Sequence, residues 1–306
     1  MSTNDSAIVP ARVAVRGGGT LLAAIGVLSF SFSFPATVWA LGGLGPWSVT
    51  GVRCALAALL AAACLVVARA PLPARADRPA LLVVAGGCVI GFPLLTTLAL
   101  ETSSTAHSAV VIGLLPLATA ACAALRARSR LPRSFWAAAG AGAAAVVAFA
   151  LQQSGGRPTS GDLFLLAALL VCAAGYAEGG RLARRMPGWQ VIAWAVLAAL
   201  PATVPLTAVA LAAEPVAIGG RALAGIAYVA AISQLGGFVV WYRGMAAIGV
   251  ERASQVQLAQ PLATLAWAAL LLGEPLPPAA PLTAVAVLGC IAVTQRAGRA
   301  SPRIRS

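Results

Sequence analysis

QVQLAQPLATLAWAALLLGEPL, residues 255–276, sets three glutamines and a proline at the start of an apolar run and ends that run with Gly273-Glu274-Pro275. Such runs recur along the whole chain. Its 306 residues are 60% hydrophobic and 9% charged, with a mean hydropathy of +0.91. Soluble domains carry about 25% charged residues, so this composition belongs to a chain whose solvent is lipid. A helix crosses a bilayer in ~20 residues. The runs are continuous and rich in Ala and Leu, not the short alternating segments of a membrane barrel, and helices satisfy their own backbone groups in lipid.

Breaks at Gly, Pro and Arg clusters divide the chain into ten spans: 21–40, 47–68, 79–100, 107–125, 135–152, 162–181, 189–211, 221–242, 253–272 and 278–295. The first is longer than the roughly 7–15 residues of a signal-peptide core, and nine more follow, so it reads as a helix. All 21 basic residues are arginine. Eighteen of them fall in the two tails and in loops 2–3, 4–5, 6–7 and 8–9. Only Arg157 and Arg221 fall on the other side, and Arg53 lies within span 2. Loop arginines mark the cytoplasmic side, which puts both termini there. A net charge of +13 spread in this way lacks the clustered footprint of a nucleic-acid binder. The six cysteines lie inside apolar runs without a C-x-x-C pair, which suits buried thiols better than metal ligands or disulfides. The spacing points to no metal and no cofactor.

A displacement of 145 residues brings Pro116-Leu117-Ala118-Thr119 onto Pro261-Leu262-Ala263-Thr264, at matching places in spans 4 and 9. Each half then holds five spans, and an odd number inverts the second half in the membrane. The predicted fold is all-α integral membrane: ten transmembrane helices as two inverted five-helix repeats. Repeat 1 covers 21–152 and repeat 2 covers 160–295, flanked by a tail over 1–20, expected to be disordered, and a basic tail over 296–306.

Pro261 within span 9, Gly273-Glu274 after it, Gly289 in the last helix and Gly161-Asp162 opening span 6 resemble the EamA repeat of the drug/metabolite transporter superfamily. Arg53 resembles an arginine often found in span 2 of that family. The resemblance covers residues 20–295, but in the first repeat Arg128-Ser129 stands where the second has Gly-Glu. It implies a multi-pass carrier of small metabolites in the cell (plasma) membrane. Inverted-repeat carriers hold substrate near the midplane, between the repeats.

Pro116 and Pro261 each remove a backbone donor and read as flexing joints or as static kinks. Gln257 and Gln260 share a helix face whose equivalents, Ile112 and Leu115, are apolar. A one-sided polar strip suits a substrate wall; the alternative is hydrogen bonding between helices. Gln255 lies near the cytoplasmic end. Arg53, about 10 Å into its span, faces the cavity or snorkels. Trp194, Tyr176 and Tyr228 are candidate cavity residues, whereas Trp39, Trp241 and Tyr242 suit the interfacial belts. Glu178 is a candidate coupling carboxylate or an i,i+3 partner of Arg181. Glu101, His107, Glu214 and Glu274 fall at outer span ends, where they cap helices or solvate loops. Gly175 and Gly179 suit close helix packing.

No Walker A, H-E-x-x-H or G-x-S-x-G motif occurs, so neither an ATPase partner nor a membrane enzyme is implied. The reading is a secondary carrier of amino acids or related amphipathic solutes, working by export; a channel or lipid-moving protein on the same repeats is the alternative, and a polytopic membrane enzyme a more remote one. The partners are a small-molecule substrate and the lipid bilayer, with no nucleic acid.

Overall fold

The computed structural model describes residues 12–128, 133–153, 155–248, 256–257 and 259–299. Gln255, Arg130, Arg252, Arg303 and Arg305 lie outside the described residues. Everything regular among the described residues is helical, apart from one isolated bridge between Leu44 and Val216. Eight helical stretches are long and apolar enough to cross a membrane: Gly18–Leu41, Pro46–Val67, Arg75–Ala99, Thr105–Arg126, Arg133–Gln153, Ser160–Leu182, Gly188–Ala213 and Gly220–Gly244. Two apolar helices follow that are shorter by the same measure, Gln260–Leu272 and Ala279–Cys290. In chain order these ten stretches are called spans 1 to 10 below. Helix α1 starts at Arg12, ahead of the boundary at residue 21, so the latter part of the tail expected to be disordered is helical.

Several spans are composite. Span 1 is α1 (Arg12–Ser31) and α2 (Ser33–Leu41), separated at Phe32. Span 2 is α3 (Pro46–Val67). Span 3 joins α4 (Arg78–Val84), a π-helical segment Ala85–Gly91 and α5 (Phe92–Ala99). Span 4 breaks between α6 (Thr105–Ile112) and α7 (Leu115–Arg126). Spans 5, 6 and 7 are α8 (Arg133–Gln153), α9 (Ser160–Leu182) and α10 (Gly188–Ala213). Span 8 repeats the pattern of span 3: α11 (Gly220–Ala227), a π segment Tyr228–Gly236 and α12 (Gly237–Ile248). Spans 9 and 10 are α13 (Gln260–Leu272) and α14 (Ala279–Arg299). The displacement of 145 residues that superposes Pro116 on Pro261 also carries Gly91 onto Gly236, so both π segments end at matching glycines.

Packing follows the same pairing. Span 1 lies along span 8, and span 6 lies along spans 3 and 4. Span 2 packs on span 7, span 5 on span 10, and span 4 meets span 9. Small residues set the close crossings. A Cβ on Gly244 would press on the backbone of Ala23, and one on Gly175 on Cys88 of span 3, the close-packing role expected of Gly175, whereas one on Gly179 would meet nothing nearer than 3.5 Å. Large apolar side chains such as Leu59, Val66, Leu163, Val209, Leu270 and Leu282 point outward and stay exposed, as a surface solvated by lipid requires. Trp241 and Tyr242 depart from the interfacial placement. Trp241 is buried against Ala23 and Val27, and a Cβ on Gly188 would strike the Tyr242 ring; both fill helix crossings. Trp39 keeps an end position and receives Arg221 over its ring at 5.2 Å.

Candidate functional site: a cleft between two broken helices

Spans 4 and 9 break for the same local reason. Pro116 and Pro261 each sit in the first turn of a helix, where the missing N–H has no partner to lose. The prolines therefore start second helices and do not kink continuous ones. Before α7 the chain tightens, with the Leu114 amide donating to Val111 O at 3.2 Å and that of Leu117 to Leu114 O at 3.0 Å. Before α13 the Ala259 amide donates to Val256 O at 3.1 Å.

Where the breaks meet there is a narrow cleft with about 30 Å³ of accessible space. Gln257, Gln260, Pro116, Pro261 and Thr264 line it, with Phe34 of span 1 and apolar residues of spans 4 and 10 completing the wall. Four sequence candidates, the two glutamines and the two prolines, are thereby brought together. The polar groups lie on the span 9 side, against Ala109, Ile112 and Leu115 of span 4.

Behind Thr264 a hydrogen-bonded seam runs along the break in span 1. The Thr264 hydroxyl donates to Ser31 O at 2.9 Å, and Trp267 Nε1 donates to the Ser31 hydroxyl at 2.9 Å. Past Phe32, the Ser33 and Ser233 hydroxyls lie 2.7 Å apart, and Arg53 donates to Ser233 Oγ at 3.4 Å. Arg53 is buried, so it does not snorkel, and it stands outside the cleft wall itself. Tyr228 donates its hydroxyl to Ser29 O at 2.9 Å and meets Phe32 edge-on, tying span 8 to span 1. Tyr176 packs edge-on to Phe238, and Trp194 packs against the central core. None of these three aromatics lines the cleft.

Glu178 lies at the arginine-rich end, where Arg126 Nε reaches one carboxylate oxygen at 2.6 Å and Arg181 Nε the other at 2.8 Å. The pair with Arg181 was legible as i,i+3; Arg126 arrives from span 4 and was not. Three further acidic groups join the two halves. Glu214 accepts from the amides of Trp47 and Ser48 at 3.2 and 2.7 Å, capping span 2 from span 7. Glu274 accepts from Thr105 and Ala106 at 3.0 and 3.1 Å, capping span 4 from beyond span 9. His107 Nε2 and Asp162 Oδ1 lie 2.6 Å apart between spans 4 and 6. The first cap answers a local deficit, because the N-cap of span 2 is Gly45 and has no side chain to offer. A Cβ at residue 45 would collide with the Glu214 carboxylate, so the remote cap and the glycine require each other.

No group of three or more His, Cys, Asp or Glu residues that could hold a metal occurs among the described residues.

Comparison with known proteins agrees with this architecture. The model of the EamA-like transporter family matches twice, over residues 17–151 and 159–295. The protein named uncharacterized transporter YdeK of Bacillus subtilis (strain 168) is 46% identical over 272 residues, 89% of this chain and 95% of that protein. Uncharacterized protein PA1977 of Pseudomonas aeruginosa is 40% identical over 83 residues, 26% of this chain and 29% of that protein. A solved crystal structure superposes with a TM-score of 0.65 at 22% identity, covering 94% of this chain and 100% of that one, a likeness of fold. The doubled family match, spread over nearly all of the spans described above, and the near full-length relative establish the conclusion: this chain is a multi-pass membrane protein of the EamA-like transporter family, within the drug/metabolite transporter superfamily.

Proposed function

We propose that the chain is a secondary carrier that exports small amphipathic metabolites, of the amino-acid kind, by alternating access of two inverted five-span halves with both termini cytoplasmic. The observation that carries this reading is the cleft between spans 4 and 9. Its accessible volume is about 30 Å³, a narrow gap well below the ~300–1,000 Å³ of small-molecule sites, so a solute enters it only as the halves part. Its amide and hydroxyl groups stand on one wall and apolar groups on the other, which matches a solute with one polar and one greasy end. Amides buried in a bilayer without such a purpose are costly. Pro116 and Pro261 border the same cleft, so the breaks that would flex during rocking of the halves lie against the substrate. Glu178, held by two arginines, serves better as a fastening at the cytoplasmic end than as the coupling carboxylate.

Purified protein in liposomes, with an imposed proton gradient, is offered labelled amino acids and small cations, and uptake and efflux are followed. Saturable flux that Gln260→Leu weakens supports the reading. Flux that is non-saturable, or indifferent to changes at Gln257 and Gln260, removes it.

A further inference from the structure

We infer that Arg53, with Ser33 and Ser233, forms an anion subsite beside the cleft, taking a carboxylate or a free inorganic anion of similar size. Arg53 is 6% exposed. No carboxylate pairs with it among the described residues, and its Nε is buried with no hydrogen-bond partner there. Its bond to Ser233 is long, at 3.4 Å. A buried charge is tolerated where something pairs with it, and a serine hydroxyl does not neutralise a cation. The arginines that do have carboxylate partners among the described residues, Arg126, Arg181 and Arg185, sit at the membrane ends, facing Glu178 and Asp77.

The neighbouring groups are built for a ligand. Ser33 and Ser233 bond to each other at 2.7 Å, so either hydroxyl can turn to donate to an anion. Ser233 belongs to the π segment of span 8, and such segments in helices occur frequently at functional sites. One residue on, Gln234 is 1% exposed, and both its amide atoms lack a partner among the described residues. Ser33 precedes Phe34, which lines the cleft, so the subsite adjoins the cleft along span 1. Moved by 145 residues, Arg53 falls on Ala198 and Ser233 on Cys88. The other half thus builds the same fold without this polar set, which frees it from a purely architectural role.

Assigning the anion to the substrate's own carboxylate rests on the cleft being the substrate site; the existence of the subsite does not. The test measures thermal unfolding of the purified full chain in a HEPES-sulfonate buffer free of small anions, titrated with acetate, chloride, leucine or leucinamide. The expected result is a saturable rise in Tm with acetate or chloride, lost in Arg53→Gln and weakened severalfold in Ser233→Ala, which keeps the charge. In that buffer without added probe Arg53→Gln should melt no lower than wild type, because an uncompensated buried charge is gone. A rise with leucine and none with leucinamide, dependent on Arg53, assigns the anion to the substrate carboxylate. A rise with chloride alone assigns it to a free ion. A flat Tm with all four probes, or a rise that persists in Arg53→Gln, overturns the inference. Flux that Gln260→Leu still impairs in that case leaves the carrier reading intact.

Discussion

Gln257 and Gln260 stand out in the sequence because amides are expensive in lipid and their repeat equivalents, Ile112 and Leu115, are apolar, and both line the cleft. Gln260→Leu should raise KM for the transported solute about tenfold, the worth of one buried hydrogen bond, with little change in protein yield; flux kinetics in liposomes check it. Thr264 also lines the cleft, with its hydroxyl turned to backbone carbonyls, and was not singled out. A threonine can bond to its own helix, as Thr264 does to Gln260 O, so its presence alone carries no signal. Trp194, Tyr176 and Tyr228 do not line this cleft, because large rings at depth fill packing space as readily as they line a pocket. Glu274 is a residue whose work is structural. Its carboxylate supplies acceptors to two otherwise unpaired amides at the start of span 4, so Glu274→Ala should cost about 1–2 kcal/mol, read as a lowered Tm.

At the scale of elements, the two repeats break their helices at the same places by different means. Gly273 ends span 9 in the left-handed conformation at φ 66°, and Arg128, its equivalent at the end of span 4, adopts φ 51°. The motif lost from the first repeat therefore persists as backbone geometry. An arginine there bears a steric cost of about 1 kcal/mol that glycine avoids, so Arg128→Gly should raise stability by roughly that amount, seen as a higher Tm. The prolines test the joints. Pro261→Ala restores a donor at the start of α13 and should lower the maximal flux about threefold or more while KM moves little, if the break moves during the cycle; unchanged flux would mark a static break. The π segments in spans 3 and 8 had no sequence signal of their own. The first contains the pair Gly86-Gly87 and the second ends at the pair Gly236-Gly237, yet a glycine pair in an apolar helix equally permits a close crossing.

Across the whole molecule, the pairing of span 4 with span 9 puts the cleft where the halves meet, while acidic groups fasten the halves to each other at both ends. Glu214, His107–Asp162 and Glu274 work at the arginine-poor end; Glu178–Arg126 and Asp77–Arg185 work at the other. The predicted topology makes the first group external. Arg157→Cys should therefore react with a membrane-impermeant maleimide in intact cells, and Arg78→Cys only after permeabilisation, with the unsubstituted chain as blank. Equal labelling of both in intact cells would contradict the orientation.

The sequence by itself determined that this chain lives in lipid as a series of helices, because a bilayer imposes a minimum apolar length and leaves loops as the place for arginine. It also marked Pro116 and Pro261 as equivalent positions in spans 4 and 9, although that each proline starts a helix was visible only in the fold. Only the tertiary structure decided which side chains meet. Glu214 caps an amide 167 residues away, and Arg53 turns into the protein beside Ser233. Local periodicity cannot reveal either contact, because each depends on how two distant helices rotate about their axes when small residues let them pack.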